Sequence, residues 1–148
     1  MSLTILKIIP SIPDYVPSEF QQERAKSFLS EVYSSHSTEF KTTDSVEFVD
    51  QGENLESVSC NLCGQDISTE EWQSQMDKAY EMSFQNLNFQ TSCQHLTSLN
   101  DLNYKWPAGF SKFIISISDP QREPSENNLG QLREILGTEI RIIWAHYW

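Results

Sequence analysis

The chain has 148 residues, of which 38% are hydrophobic and 11% aromatic, a composition that is typical of one folded domain and excludes a disordered tail. No apolar run approaches the roughly 20 residues that a membrane-spanning helix needs. The 21 acidic and 10 basic residues give a formal charge of −11, which argues against a surface that binds nucleic-acid phosphates. We therefore predict a single domain, residues 1–148, with neither a nucleic acid nor a membrane as its partner.

The first part of the chain predicts a strand followed by a helix. Residues 3–9 form a short apolar run that Pro10 ends, as expected of a strand. Ser18 and Gln21 have the spacing of a capping box, which predicts a helix beginning after Ser18. The apolar face expected for this helix consists of Phe20, Ala25, Phe28, Leu29, Val32 and Tyr33.

The next segment predicts a loop and a hairpin. Residues 34–43 are polar and favour a loop. The short alternating runs 45–50 and 55–59 flank Gln-Gly-Glu-Asn at 51–54, which favours a hairpin with its turn at the glycine.

A second helix is well marked after this hairpin. Residues 68–71 read Ser-Thr-Glu-Glu, a capping box, and an apolar face follows. Residues 84–91 alternate as in a strand, whereas Pro107 and Gly109 make residues 99–110 irregular. The expected apolar face of the helix consists of Trp72, Met76, Ala79 and Tyr80.

The last third predicts a strand, a helix and a strand. Residues 113–117 alternate between large apolar and smaller side chains, as in a strand with one buried face. Ser125 is expected to cap a third helix that ends at Gly137. Residues 140–147 are aromatic and β-branched and predict the final strand.

This order of elements predicts an α+β fold. The outer β-α-β halves are expected to form a ferredoxin-like mixed or antiparallel sheet with helices on one face. Residues 60–95 would then be an insertion that resembles a zinc knuckle and carries the second helix.

One segment carries a chemical signature, the Cys-x-x-Cys-Gly of Cys60, Cys63 and Gly64. This turn directs two thiolates toward one metal ion and is half of a zinc ribbon or knuckle. A tetrahedral site needs two more ligands, and Cys93 and His95 follow after 29 intervening residues. The sequence therefore predicts a structural zinc ion bound by Cys60, Cys63, Cys93 and His95.

Three other interpretations of these residues stay open. In the first interpretation, the cysteines are ordinary reduced thiols and His95 lies in a solvated loop. In the second, the pair is a redox centre, although the predicted helix starts too far beyond Cys63 for its dipole to lower a thiol pKa. In the third, the three cysteines hold zinc in a metal-dependent enzyme and a water takes the fourth position.

The cysteine pair and the segment SLNDLNYKWPAGF at residues 98–110 resemble a family of small uncharacterised bacterial proteins. In that family a C-P-x-C-G half-site is followed by a P-C-C-G half-site, an L-N-D-L-x-Y-x-W-P-x-G-F segment, and then a strand, a helix and a strand. The resemblance covers roughly residues 55–148. This chain departs from it at residues 91–95, where TSCQH replaces the adjacent cysteines. The resemblance thus implies either that His95 substitutes for a cysteine or that the site is degenerate, and it implies no activity.

The negative charge is concentrated in residues 44–81, which contain ten acids and one base, so this window carries −9 and the other 110 residues carry −2. It is either a solvated surface that favours solubility or a face that attracts a basic partner. The function that we predict is a small acidic interaction protein, non-enzymatic, comparable to an immunity or inhibitor protein. An odd number of cysteines and no signal-peptide pattern favour the cytoplasm.

No motif predicts catalytic or cofactor-binding residues, because a nucleophile elbow, a phosphate-binding glycine loop and a dinucleotide fingerprint are all missing from the sequence. Tyr104 and Trp106 are expected either to close the core or to line a peptide or ligand groove. His146 lies in the last predicted strand and is expected to be structural.

Overall fold

The structure is a computed structural model that describes residues 2–34 and 37–147. Ser35 and His36 belong to the loop predicted over residues 34–43 and lie outside the described residues. The helices and strands of the described chain follow one another as β1 (Leu3–Pro10), α1 (Glu19–Val32), β2 (Thr38–Val49), β3 (Val58–Ser59), β4 (Asp66–Ile67), α2 (Thr69–Glu81), β5 (Asn88–Gln90), β6 (Leu96–Ser98), β7 (Asn103–Tyr104), β8 (Gly109–Ser118), α3 (Glu126–Leu136) and β9 (Ile140–Tyr147).

The main sheet has four antiparallel strands in the order β2-β8-β1-β9. Ile8 of β1 lies opposite Ile115 of β8 and Ile142 of β9, so the two outer halves of the chain meet at the centre of the sheet. Each half is a β-α-β unit, β1-α1-β2 and β8-α3-β9. The predicted α+β class with a ferredoxin-like antiparallel sheet is confirmed.

Capping residues determine where the two helices of the outer halves, α1 and α3, begin and end. The Ser18 side chain accepts the backbone N–H of Gln21, and the Gln21 side chain accepts that of Ser18. Ser125 makes the same reciprocal pair with Asn128 at the start of α3. Gly137 ends α3 in a left-handed conformation, with φ of 74°. These satisfied helix ends explain why the sequence located both helices correctly.

Helices α1 and α3 pack on one face of the sheet. Ala25 and Leu29 of α1 are buried there, but Phe20 is 72% exposed, contrary to the predicted apolar face. The reason is the helical rotation of about 100° per residue, which puts Phe20 roughly 140° away from Ala25. The fully buried side chains of this core include Leu6, Phe113, Ile115, Ile117, Leu132 and Leu136.

The predicted loop at 34–43 and the predicted hairpin were wrong. Residues 38–43 belong to β2, which pairs with β8 along its length and has an irregularity between Thr42 and Glu47. β2 does not pair with the run at 55–59, because β3 pairs with β4 and β7 instead. A polar edge strand whose partner lies some 70 residues away gives no local hairpin signal.

The segment between β2 and β8 covers residues 50–108 and packs against the second face of the sheet. There α2 buries Trp72 and Met76 against Phe110, which is on the opposite face of β8 from Phe113. The strand predicted at 84–91 is reduced to Asn88–Gln90. It starts late because Ser83 and Phe84 both adopt a φ of 56° just after α2, which is incompatible with an extended strand.

Candidate metal centre

The first cysteine pair lies in the turn of the hairpin formed by β3 and β4. The backbone N–H of Cys60 donates to the carbonyl of Gln65, and that of Gly64 donates to the carbonyl of Cys60, which closes the turn. Gly64 has a φ of 79°, and a side chain there would meet nothing within 4 Å, so the glycine serves the backbone conformation alone. The backbone N–H of Leu62 points at the Cys60 sulfur at 3.4 Å. This turn supplies two sulfurs and one donor that favours a thiolate.

The second pair lies in the turn of the hairpin formed by β5 and β6. The N–H of Thr91 donates to the carbonyl of His95, and the N–H of Gln94 donates to the carbonyl of Thr91. The Thr91 hydroxyl also accepts the N–H of His95, at 3.0 Å. Gln94 takes a left-handed conformation, with φ of 66°. Cys93 and His95 therefore lie on either side of Gln94, and both side chains approach the sulfurs of the first hairpin.

The four predicted ligands come together. Their donor atoms all lie within 4.8 Å of one another. The Cys63 and Cys93 sulfurs are 3.5 Å apart, and His95 Nδ1 is 3.4 Å from the Cys93 sulfur and 3.8 Å from that of Cys60. A tetrahedral zinc ion with its usual bond lengths implies about 3.8 Å between two sulfurs and about 3.6 Å between sulfur and nitrogen. Three sulfurs and one nitrogen in this arrangement could hold a metal ion.

Two hydrogen bonds outside the donor set hold the second hairpin, one to the first hairpin and one to α2. The Thr97 hydroxyl donates to the side-chain oxygen of Asn61 at 2.7 Å. The Glu71 carboxylate accepts the backbone N–H of Ser92 at 2.9 Å, which fixes the second hairpin to the first turn of α2. Neither pair was predicted. The partners are separated by 36 and by 21 positions along the sequence, and no sequence signal links polar residues over such separations. Both bonds contribute to the placement of the second turn beside the first.

The electrostatic environment of the sulfurs is uneven. Hydrogen bonds from the Thr91 hydroxyl and from His95 lower the pKa of Cys93 to about 6. A backbone hydrogen bond from Gln65 lowers the pKa of Cys63. Contacts with the Cys93 and Cys60 sulfurs and partial desolvation raise this pKa by more, so the net shift is upward. The cluster thus holds one thiol whose pKa is lowered beside one whose pKa is raised.

The structure separates the cysteine pair from the start of α2. Strand β4 and Ser68, the N-cap, lie between Cys63 and the helix. Neither Cys60 nor Cys63 therefore belongs to the first turn of the helix, the position that the thiols of a redox centre of the C-x-x-C type occupy.

The aromatic residues of the 98–110 segment have different environments. Tyr104 is buried, donates its hydroxyl to the carbonyl of Leu99 at 2.6 Å and accepts the indole N–H of Trp72 at 3.2 Å. Burial raises its pKa to about 12. Trp106 is 44% exposed, and its carbonyl accepts the side chain of Gln51. Tyr104 is thus part of the core of the inserted segment, whereas Trp106 lies at the surface.

His146 of β9 has a structural environment. Its Nδ1 lies 3.1 Å from the hydroxyl of Thr4, and its backbone carbonyl accepts the N–H of Glu53. A side chain at Gly52 would lie 2.3 Å from that carbonyl, so only glycine allows the inserted segment to approach β9 this closely.

The fold and the site define a class, an α+β protein with a ferredoxin-like sheet and an inserted pair of hairpins that could hold one metal ion. Comparison with known proteins found no matching family model, no matching curated protein and no matching solved structure. Within residues 2–34 and 37–147, none of the helices has the length and apolar character required to cross a membrane.

Proposed function

We propose that this chain is a small zinc-binding interaction protein in which Cys60, Cys63, Cys93 and His95 hold a structural zinc ion. The observation that supports this most strongly is the approach of four donor atoms to within 4.8 Å from two separate hairpins. Thiolate and imidazole ligands favour zinc over calcium or magnesium, which prefer oxygen. The ion would join two hairpins whose strands have only two or three residues each.

A structural role is favoured over a catalytic one by the position of His95. The metal-dependent enzyme requires a fourth position that a water occupies. His95 Nδ1 lies 3.4 Å from the Cys93 sulfur and 3.8 Å from that of Cys60, which supports His95 as the ligand at that position. We therefore propose a closed shell, in which the metal stabilises the inserted segment and performs no chemistry.

Metal content tests the zinc proposal. Protein purified without added metal is analysed by native mass spectrometry, together with Cys93→Ser and His95→Ala variants. We expect one zinc ion per chain in the wild type and a smaller fraction of zinc-bound chains in each variant, because each loses one of four ligands. His146→Ala is the matched control, since this histidine lies on β9 away from the hairpins, and it should keep its zinc. A wild-type chain without metal would contradict the proposal.

The proposed interaction surface is an acidic stripe on α2, formed by Glu70, Asp77 and Glu81. Spacings of seven and four residues put these three side chains on one line of the helix, opposite the buried Trp72 and Met76. All three are exposed. Asp77 also accepts the side-chain amide of Gln73, one turn earlier on the same helix. Glu71 is excluded from the stripe because it accepts the backbone N–H of Ser92.

We propose that the stripe attracts a basic protein, in the manner of an immunity or inhibitor protein that neutralises a cationic toxin or nuclease, in the reducing cytoplasm where free thiolates persist. The proposal is tested by quantitative pull-down from the source cell with the wild type and with Glu70→Gln/Asp77→Asn/Glu81→Gln. A neutralised control, Glu31→Gln/Glu134→Gln/Glu139→Gln, removes three exposed acids elsewhere. Binding should fall at least tenfold for the stripe variant alone and should weaken with added salt. Equal binding by both variants would contradict the acidic-stripe proposal and leave the zinc proposal standing.

A further inference from the structure

The three sulfurs of the metal centre differ in their access to solvent. Cys63 is exposed and Cys93 is half-buried, whereas Cys60 is fully buried. The two accessible sulfurs belong to different hairpins, yet they lie only 3.5 Å apart. A disulfide bond needs about 2.0 Å between its sulfurs, so a movement of roughly 1.5 Å would join them.

We infer that Cys63 and Cys93 form a reversible disulfide when the protein meets hydrogen peroxide, and that this modification releases the zinc ion. The inference rests on the proposed function, because it requires bound zinc. It adds a regulated state to a site that otherwise serves stability alone.

The reaction balances with peroxide as the oxidant. One of the two thiolates attacks a peroxide oxygen, so that an S–O bond forms, the O–O bond breaks and hydroxide leaves to become water. The other thiolate then attacks this sulfenic sulfur, the S–S bond forms, and the second oxygen leaves as water after protonation. The two sulfurs lose two electrons in total, and one peroxide is reduced to two waters.

The buried cysteine is protected from the same reaction. The Cys60 sulfur accepts the N–H of Leu62 and lies 3.8 Å from His95 Nδ1, with no solvent access. Oxidation by peroxide requires an accessible thiolate. The disulfide within the first turn, between Cys60 and Cys63, is therefore disfavoured relative to the disulfide between hairpins.

Loss of metal follows from the ligand count. A disulfide sulfur carries no charge and does not replace a thiolate as a zinc ligand, so only Cys60 and His95 would remain, half of a structural shell. The new bond links the same two hairpins that the ion linked. The hydrogen bonds of Asn61 with Thr97 and of Glu71 with Ser92 involve no sulfur and can persist. The inserted segment thus keeps its arrangement, and a thiol reductant should restore the site.

The experiment treats the zinc-loaded full-length chain with hydrogen peroxide in the presence of a colorimetric zinc chelator. After quenching, free thiols are alkylated and the intact protein and its proteolytic peptides are weighed. We expect release of one equivalent of zinc, a chain two hydrogen atoms lighter with one alkylated cysteine, and a peptide pair that joins Cys63 to Cys93. Dithiothreitol and zinc should restore the starting mass and metal content.

Variants keep the inference falsifiable. Cys60→Ser should still form the cross-linked product, whereas Cys63→Ser and Cys93→Ser should not, and this readout does not depend on their zinc affinity. The inference would be overturned if the chain kept its zinc after the Cys63–Cys93 disulfide had formed, or if the disulfide that forms involved Cys60. A chain that carries no zinc before peroxide is added would overturn the proposed function instead, so the two failures are distinguishable.

Discussion

The carboxylate of Glu71 accepts a hydrogen bond from the backbone N–H of Ser92, with 2.9 Å between Oε2 and N. Glu71 lies in the first turn of α2, and Ser92 directly precedes Cys93 in the second hairpin. The bond thus connects the helix after the first cysteine pair to the turn that carries the second pair. Glu71 therefore has a structural partner, whereas the neighbouring Glu70 is exposed to solvent.

Replacement of Glu71 should weaken metal binding without touching a ligand. Glu71→Ala removes the acceptor for the Ser92 N–H and loosens the turn, and outer residues of this kind typically change metal affinity by about 10- to 100-fold. Competition with a zinc chelator of known affinity measures the change. Glu70→Ala removes the same charge from the adjacent position and is expected to leave the affinity unaltered, so an equal loss in both variants would attribute the effect to charge.

Gly64 should contribute through its backbone conformation. A left-handed φ costs a residue with a Cβ about 1–2 kcal/mol, so Gly64→Ala is expected to lower zinc affinity by about 5- to 30-fold although the side chain meets no atom. Gly64→Asn is the control, since asparagine tolerates this region better and should lose less. Isothermal titration with zinc distinguishes them. Equal affinities for the alanine variant and the wild type would show that the turn does not need this conformation.

Removal of the metal should loosen the hairpins and leave the main sheet intact. The core beneath the hairpins is separate from the core between the sheet and helices α1 and α3. Chelation is therefore expected to speed amide exchange in residues 58–67 and 88–98, while β1 and β9 keep their protection. Hydrogen exchange followed by mass spectrometry resolves these segments. Uniform deprotection of the whole chain would mean that the ion stabilises both cores.

Asp50 should give a pH-dependent contribution to stability. Burial raises the pKa of Asp50, but hydrogen bonds from Lys7, Tyr147 and the N–H of Gly52 outweigh burial and hold it below the ordinary 3.8. A carboxyl whose pKa is lower in the folded state stabilises that state above its ordinary pKa, and the contribution disappears as the pH falls through the folded value.

Asp50→Asn is therefore expected to lower the free energy of unfolding by about 1 kcal/mol at pH 7, a modest value because the carboxylate is partly exposed to solvent. The difference from the wild type should shrink below about pH 4. Urea unfolding at pH 7 and pH 3 measures it. Asp44 is an exposed acid, and Asp44→Asn should have the stability of the wild type at both pH values. If Asp50→Asn lowered the free energy of unfolding equally at pH 7 and pH 3, the ionised carboxylate would be excluded as the source of the difference.

The parts of the fold that local chemistry determines were predictable. Ser18 and Ser125 each form a cap with a residue three positions later, and Gly137 takes the conformation that ends a helix, so short sequence windows contain all the necessary information. The alternation in β8 likewise reports a buried face directly. Cysteine and histidine spacing predicted which four side chains the structure brings together, because few residue types can serve as metal ligands.

Long-range pairing was not predictable from the same windows. The start of β2 is polar, since its edge position leaves much of it in solvent, and only the apolar partners in β8 make it a strand. The runs 45–50 and 55–59 predict a hairpin because a glycine turn separates them, yet Gly52 instead packs against the carbonyl of His146. The Glu71 bond to Ser92 joins two ordinary polar residues, whose chemistry is shared by many surface positions.

A closed zinc site has a defined set of neighbouring atoms, which X-ray absorption at the zinc edge of the purified 148-residue chain measures. We expect three sulfurs at about 2.3 Å and one nitrogen at about 2.0 Å. The nitrogen contribution should vanish in His95→Ala and persist in His146→Ala. A spectrum without the outer-shell scattering of an imidazole ring, or with fewer than three sulfurs, would contradict the closed structural site.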